Sequence, residues 1–470
     1  MEFIKKIVSL FSTERNSVNE NSLDKKSVEV YNKKRPAVKI TSFCHAPSIN
    51  LYFSWEGKVI ACCFNQKFIL GNYPEQSIDQ IWNGDQVKKL RDSLKKNDLS
   101  NGCDTCLRDL KNSSFKTSNA LRFDEFDAGK FPEMMEFQLT NTCNLECNMC
   151  NGWLSSTIRK NREQLPPLPM KYDSKFVEQL TDYIPHLKFT NFSGGEPFLM
   201  EIYYDIWEKI IELNPKCIIK ITTNGTIYNN RVKELLDKGS FDITLSLDSL
   251  DKSTYESIRI GANFERVISN VNSFVAHCNE KQSTMNINFC PMVDNWQEIP
   301  KFLTYCNSTQ SVVYFSIVHY PLNRSLKSLS SDKLRQIIVE IEGEIGSLNL
   351  PKNKNTEEWK RLRDQIHAWI LENDSKLIES ERTYEELKAL LELKMTEFKS
   401  ETPSFDKEEV QSSLEKLYPK FENENMNLAP LYQKVSQMTR SDLITFLNSY
   451  EIERQDLFSE YIIIQNDKKN

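Results

Sequence analysis

The 470-residue chain lacks the features of several large classes of protein. It has no run near the roughly 18 to 20 apolar residues that a membrane-spanning helix needs, and its start, MEFIKKIVSLFSTERNS, carries no small-residue cleavage site. Lys and Arg are not in excess, since the formal net charge is −6, which argues against a nucleic-acid-binding protein. We therefore predict a cytoplasmic protein with neither a nucleic acid nor a membrane as partner.

Glycine is scarce, whereas cysteine is abundant and clustered. Only 13 glycines occur, yet Gly194 and Gly195 are adjacent, which indicates a backbone conformation that needs them. Twelve cysteines occur; eight of them lie between Cys44 and Cys150, and none follows Cys306. In a chain without an export signal, close cysteine pairs favour metal sites over disulfides.

The middle of the chain predicts a parallel sheet. Six apolar runs alternate with helix-period segments between about residues 132 and 320: MMEFQL, HLKFTNF, CIIKITT, FDITLSL, MNINFC and VVYFSIV. Repeated βα units of this kind predict an α/β fold. Since six units fall short of a complete eight-fold barrel, we expect a partial (β/α)6 barrel.

Four regions are predicted along the chain. They are a flexible lead-in (1–35), a small α+β cysteine-rich module (36–115), the partial barrel (130–322) and a helical C-terminal region (323–470). Two sets of apolar residues at helical spacing support the last assignment: Trp359, Leu362, Ile366 and Ile370, then Tyr384, Leu387, Leu391, Met395 and Phe398.

Three cysteines follow the first barrel strand. Cys143, Cys147 and Cys150 lie on the loop at its carboxyl end, where parallel α/β folds bind ligands. Zinc is one candidate, but a structural zinc site needs a fourth ligand nearby, and the nearest downstream histidine is His186. Three thiolates suit an iron–sulfur cube that leaves one iron open to an outside ligand.

The spacing C-x3-C-x2-C, here CNLECNMC, resembles that of the radical S-adenosylmethionine (radical SAM) superfamily over about residues 132–320. The second strand ends in SGGEP, and Gly194, Gly195, Glu196 and Pro197 match the family's GGEP motif. The resemblance implies that this motif faces the methionine ammonium group of S-adenosylmethionine.

Weaker matches follow the later strands. The third strand ends in TTNG (222–225) and the fourth in SLDS, where Ser246 and Asp248 fall at positions that the family uses for ribose and carboxylate. Arg259 matches a basic residue placed against the methionine carboxylate. Met149 stands where many members have an aromatic residue, and we expect it to pack beside the adenine.

The resemblance implies a [4Fe-4S] cluster whose open iron is chelated by S-adenosylmethionine. One electron, from a low-potential donor such as flavodoxin or ferredoxin, cleaves the sulfonium bond. The products are methionine and a 5′-deoxyadenosyl radical, which abstracts hydrogen from a substrate.

A second cysteine set precedes the barrel. Cys44, Cys62, Cys103 and Cys106 have a spacing that resembles the twitch domain, the one-cluster version of the SPASM domain, and this implies an auxiliary [4Fe-4S] cluster. Twitch and SPASM modules usually follow the barrel. Cys63 is an alternative to Cys62, and a zinc ribbon is an alternative to the cluster.

The leading hypothesis is a radical SAM oxidoreductase or maturase that acts on a peptide or protein. The alternatives are a dehydrogenase or epimerase for a carbohydrate or other small molecule, and a non-catalytic iron–sulfur sensor or scaffold.

Overall fold

The computed structural model describes residues 25–33, 35, 41–111, 119–126, 128–380 and 390. One sheet of nine strands organises this part of the chain. The strands are β1 (Asn50–Ser54), β2 (Lys58–Ile60), β3 (Gly71–Asn72), β4 (Met134–Gln138), β5 (Phe189–Phe192), β6 (Ile218–Thr223), β7 (Ser240–Ser246), β8 (Met285–Phe289) and β9 (Val312–Phe315).

The helices lie between and after these strands. They are α1 (Lys25–Asn32), α2 (Ala46–Ile49), α3 (Ile78–Trp82), α4 (Asp85–Lys95), α5 (Asp104–Lys111), α6 (Ser156–Asn161), α7 (Ser174–Leu180), α8 (Glu201–Leu213), α9 (Asn230–Lys238), α10 (Lys252–Ile258), α11 (Phe264–Lys281), α12 (Ile299–Ser308), α13 (Ser331–Ser347) and α14 (Lys354–Ser380). Short 3-10 helices include Asn119–Phe123 and Pro197–Leu199.

Strands β4 to β9 are parallel and adjacent in chain order. They coincide with the six apolar runs, so the predicted α/β partial barrel is confirmed. Because consecutive parallel strands are joined by helical crossovers, all their carboxyl ends lie at one edge of the sheet.

The cysteine-rich module extends this same sheet. Strand β1 is parallel to β4, in a register that pairs Phe53 with Phe137, while β2 and β3 add antiparallel strands beyond it. The sequence indicated strands in the module but not their place beside the barrel. The expected boundary between residues 115 and 130 lies inside one compact unit, which comprises residues 1–328 and 341–362.

The end of the expected lead-in also differs from the prediction. Residues 1–24 lie outside the described part of the chain, but Lys25–Asn32 form α1, and Tyr31 is fully buried. Arg35 is held by two bonds to the Asp124 carboxylate, at 2.8 and 2.6 Å. These contacts hold the segment around Tyr31 and Arg35 in place, although its sequence shows little periodicity.

Part of the expected helical region lies within the described residues. Trp359, Leu362, Ile366 and Ile370 are buried along α14. The set from Tyr384 to Phe398 lies outside the described residues. A second compact unit contains residues 329–340 and 363–470 and includes an ion pair between Arg335 and Asp374, 2.5 Å apart. Among the helices that the structure describes, none is long and apolar enough to cross a membrane.

Aromatic rings join the module to the barrel. Phe53, Phe137 and Phe192 pair across β1, β4 and β5, and their rings stack at 5.5 and 4.7 Å. Phe176 of α7 and Trp207 of α8 contact this ladder edge-on. Since side chains alternate between the faces of a strand, these rings define the helix-covered face, and the residues between them define the inner face of the sheet.

We predict that Phe137→Ala destabilises the protein by about 3–5 kcal/mol, because it removes the central ring of a fully buried ladder. Urea denaturation followed by circular dichroism would measure the loss. Met170→Ala is the control, since that side chain is 58% exposed. Equal midpoints for the two variants would contradict a stabilising role of the ladder.

Candidate active site

The cysteine loop follows β4 and is fixed on both sides. Cys143 donates its backbone N–H to Ser156 Oγ (3.1 Å), and its carbonyl accepts from Thr157 Oγ1 (2.5 Å), at the start of α6. Further along the loop, backbone N–H groups of residues 146 and 148 donate to carbonyls of residues 260 and 258. The thiol-bearing residues are therefore held between α6 and the segment after α10.

The two adjacent glycines bring the GGEP loop against the cysteine loop. Both have positive φ, +86° at Gly194 and +52° at Gly195. A Cβ on Gly195 would lie 2.1 Å from the Thr142 carbonyl oxygen, and one on Gly194 2.6 Å from Gln138 Cγ. The close approach that requires glycine here is to the protein's own chain.

Glu196 binds protein groups with both carboxylate oxygens. It accepts from Thr223 Oγ1 at 2.8 and 3.0 Å, from the Asn224 N–H at 2.7 Å and from the Phe198 N–H at 3.1 Å. Complete burial raises the pKa of Glu196 to about 7, although these donors oppose the rise. Glu196 thus ties the end of β5 to the end of β6, with Pro197 opening the short helix after it. Contact with the methionine ammonium stays a prediction.

Asn224 is a site residue to which the sequence analysis assigned no role. Its Nδ2 lies 3.9 Å from Cys143 Sγ and donates to Asn144 Oδ1 at 3.0 Å. An N–H group beside a ligand sulfur favours the thiolate and tunes a cluster. The TTNG sequence at the strand end was the available signal.

Arg259 and Asp248 form a buried ion pair beside Cys147. The Arg259 NH2 group lies 2.6 Å from Asp248 Oδ2, and its NH1 group 3.9 Å from Cys147 Sγ. Asp248 Oδ1 accepts the Cys290 N–H at 2.8 Å. Burial lowers the pKa of Arg259, but Asp248 and Cys147 outweigh it and hold that pKa above its usual range. A permanent cation here suits an anionic thiolate centre.

Two other predicted residues lie nearby. Ser246 is half-buried at the end of β7. Met149 packs against an apolar cluster of Ile258, Met292 and Val318. Its contact with adenine stays a prediction.

The three thiols of the cysteine loop fit a cluster that is bound by three protein ligands. Burial raises the pKa of the thiols of Cys143, Cys147 and Cys150, that of Cys147 to about 12, so metal binding must displace their protons. Within the part of the chain that the structure describes, no three His, Cys, Asp or Glu side chains converge as one metal ion would require.

The second cysteine set surrounds a cleft in the N-terminal module. Cys44, Cys62, Cys103 and Cys106 line a space of about 430 Å³ that includes its open mouth, and apolar side chains such as Leu90 complete the wall. Burial raises the pKa of Cys44, Cys62 and Cys103. Asn65 Nδ2 donates to Cys103 Sγ at 3.5 Å. Four thiols around one largely apolar cleft fit a fully ligated cluster.

Cys63 does not line that cleft. Its charged neighbours are Glu136 and Arg122, and burial raises the pKa of its thiol to about 12. The structure therefore favours Cys62 as the ligand.

An indole pair links the two cysteine regions. Trp55, in the turn between β1 and β2, stacks on Trp153, three residues after Cys150, with ring centroids 5.1 Å apart. The Arg159 guanidinium lies 4.9 Å from the Trp153 ring. The hairpin of the module thus contacts the cysteine loop directly.

Comparison with known families agrees with this geometry. The sequence profile of the radical SAM superfamily matches residues 137–306, from β4 through α12. Residues 137–306 therefore form a radical SAM domain. A second profile, that of the SPASM iron–sulfur cluster-binding domain, matches residues 44–107. This radical SAM protein therefore has an N-terminal auxiliary domain, and its cofactors are S-adenosylmethionine, a [4Fe-4S] cluster and an auxiliary iron–sulfur cluster.

Several curated relatives of this radical SAM protein are GTP 3′,8-cyclases. A probable GTP 3′,8-cyclase of Methanocaldococcus jannaschii is 27% identical over 201 residues, covering 42% of this chain and 63% of the relative. The cyclase of Aquifex aeolicus is 30% identical over 143 residues, covering 29% of this chain and 43% of that protein. The chain thus matches less than two thirds of the length of either relative.

Solved structures show a distant likeness. SuiB of Streptococcus suis bound to S-adenosylmethionine has 19% identity and a TM-score of 0.35, covering 56% of this chain and 58% of that one. The structure of anSMEcpe with bound AdoMet has 17% identity and a TM-score of 0.35, covering 45% of this chain and 59% of the other.

We predict that Gly195→Ala lowers the iron bound at the cysteine triplet, because the added Cβ pushes the Thr142 carbonyl and with it the cysteine loop. Gly261→Ala is the matched control. It also has positive φ (+92°) near this loop, but its Cβ would be 3.6 Å from the nearest atom. Both variants carry a backbone cost of about 1–2 kcal/mol.

Iron and sulfide analysis after anaerobic reconstitution measures the difference between the two glycine variants. Equal iron content in both would contradict the steric argument.

A second prediction separates the paired cysteines. In a background where Cys143, Cys147 and Cys150 are alanine, Cys62→Ala abolishes the remaining cluster and Cys63→Ala retains it, because only Cys62 lines the cleft. Iron content and the electron paramagnetic resonance signal of the reduced protein provide the measurement. Loss of the signal in the Cys63 variant alone would reverse the assignment.

Proposed function

We propose that the protein is a radical SAM enzyme that cleaves S-adenosylmethionine and abstracts hydrogen from a substrate. The observation that carries this proposal is the cysteine triplet, held at the ligand-binding edge of the sheet with Asn224 and Arg259 beside two of its sulfurs. When bound, the cluster and S-adenosylmethionine supply one-electron cleavage to methionine and a 5′-deoxyadenosyl radical. Three protein ligands would leave one iron for the amino and carboxylate groups of S-adenosylmethionine.

The chain's own residues orient the reactants. Gly194, Gly195, Glu196 and Pro197 would receive the methionine end, with the Glu196 carboxylate holding two strand ends in place. Asp248 would orient Arg259 toward the methionine carboxylate, while Ser246 lies at a strand end suited to the ribose. In each case the supporting evidence is position at the carboxyl edge of the sheet.

The auxiliary cluster would be bound by Cys44, Cys62, Cys103 and Cys106. With four protein ligands it has no open iron, so we assign it electron transfer or support of the substrate pocket. The indole pair of Trp55 and Trp153 brings this module next to the radical SAM loop. A cytoplasmic ferredoxin or flavodoxin would supply the initiating electron.

For the substrate we propose a peptide or protein, with the SPASM domain as support. GTP is the second candidate, because GTP 3′,8-cyclases are among the relatives of the barrel region.

The test is anaerobic reconstitution with iron and sulfide, followed by dithionite and S-adenosylmethionine. We expect 5′-deoxyadenosine from the wild type and none from Cys147→Ala. Cys290→Ala is a matched control, because Cys290 also lies near Arg259 and Asp248 but follows β8 and belongs to no cysteine motif. It should retain the cluster and the cleavage.

Two outcomes would refute the enzyme proposal. One is no 5′-deoxyadenosine from wild-type protein that carries its clusters. The other is loss of the radical SAM cluster in the Cys290 variant, which would make this residue the fourth ligand and close the open position.

A further inference from the structure

The inner face of the sheet is polar across five neighbouring strands. Tyr52, Glu136, Asn191, Lys220 and Asp242 lie directly opposite one another on β1, β4, β5, β6 and β7. Cross-strand partners share a face, so these five side chains form one row, here called the inner row. Ionisable groups in such a place are costly unless they have partners.

Both carboxylates of the inner row are engaged. Glu136 accepts from Asn50 Nδ2 at 2.8 Å and from the Arg122 NH2 group at 2.9 Å. Asp242 accepts the Thr284 backbone N–H at 2.8 Å. Arg122 reaches the row from the 3-10 helix Asn119–Phe123.

Lys220 is different, since it makes neither a hydrogen bond nor an ion pair with any residue in the described part of the chain. Its side chain is half-buried. Burial lowers the pKa of Lys220, and Arg122 lowers it further, while Asp242 and Glu136 oppose them. Two cations thus lie close together: Lys220 in the inner row, and Arg122, which pairs with Glu136 of that row. Lys220 is the one without a direct partner among the described residues.

The next positions toward the cysteine loop hold further unsatisfied groups. Ser54 Oγ and Asn286 Oδ1 are buried and have no hydrogen-bond partner among the described residues. They lie two residues beyond the level of the inner row, on β1 and β8. Buried polar atoms in folded proteins usually have partners, so such atoms on one face indicate a place that a polar ligand or water fills.

We propose that Lys220 and Arg122 bind an oxyanion of the substrate, a carboxylate or a phosphate monoester. The inference rests on the proposed function and specifies its substrate class. Arginine and lysine are the side chains that recognise such groups, Arg through its planar fork and Lys as a point charge.

The position suits a substrate that spans the inner face. Lys220 lies four residues before Asn224, which contacts Cys143, and this corresponds to roughly 13 Å along a strand. A molecule anchored by its anion at Lys220 would place its far end near the cysteine loop. An amino-acid side chain with its peptide, or a nucleotide, has this length.

The test is chemical labelling of the reconstituted full-length protein with N-hydroxysuccinimidyl acetate, read as acetylation of Lys220 by peptide mass spectrometry. Labelling is compared in about 50 mM chloride, acetate or phosphate at equal ionic strength and pH. A site with a dissociation constant of about 10 mM would slow labelling about sixfold, because the free fraction falls by the factor 1 + [L]/Kd. Lys188, whose side chain is 53% exposed, is the internal reference and should keep its rate.

Protection by acetate supports a carboxylate substrate, and protection by phosphate alone supports a phosphorylated one. Arg122→Gln should abolish the protection, whereas Arg231→Gln should not, because Arg231 pairs with Glu201 at the helical surface. Equal labelling of Lys220 in all three salts would overturn the proposal. This comparison uses the wild-type protein, so it does not depend on the folding of a variant.

This result is independent of S-adenosylmethionine cleavage. If 5′-deoxyadenosine forms but anions do not protect Lys220 from acetylation, only the anion site is refuted. If anions protect Lys220 but no 5′-deoxyadenosine forms, only the proposed function is refuted.

Discussion

The alternation of side chains along the parallel strands is the constraint on which this structure depends. One face of the sheet carries Phe53, Phe137 and Phe192 in a stacked ladder under the helices, and the other carries the charged inner row. A shift of one residue in register would exchange the two faces, moving rings away from the helices and ionic groups beneath them. The parallel direction of β4 to β9 brings their carboxyl ends to a single edge, where the cysteine loop, the GGEP loop and Arg259 meet.

Buried charge organises that edge. Glu196 joins two strand ends through backbone and hydroxyl donors, and Asp248 aligns Arg259 beside Cys147. Both carboxylates are buried, and each binds groups from a loop other than its own. Removing Arg259 or Asp248 would leave the other as an uncompensated buried charge, so the ion pair couples the positions of their two loops. The arrangement supplies a rigid frame for thiolates whose own loop has no regular secondary structure.

The fold was largely predictable, because each barrel strand is a short apolar run bounded by polar segments and a helix. The position of β1 was not, because its pairing with β4 depends on a long-range contact that leaves no local pattern.

The cysteine triplet was found through its spacing alone. Glu196 was found as a motif residue, but its hydrogen bonds to Thr223 and Asn224 come from the next strand end and could not be read from GGEP. Cys62 was preferred over Cys63 from the spacing of the motif, and of these two cysteines Cys62 is the one that lines the cleft. The inner row could not be predicted from the sequence, because each of its members is a single polar residue within an apolar run.

The union of β1 with β4 has a consequence for how the chain matures. During synthesis β1 leaves the ribosome well before β4, and its hydrogen-bonding edge has no partner on that side until Met134–Gln138 are made. The sheet around β1 is therefore complete only after the first barrel strand has emerged. A nascent chain truncated before β4 would leave that edge of β1 unpaired and open to pairing with another strand.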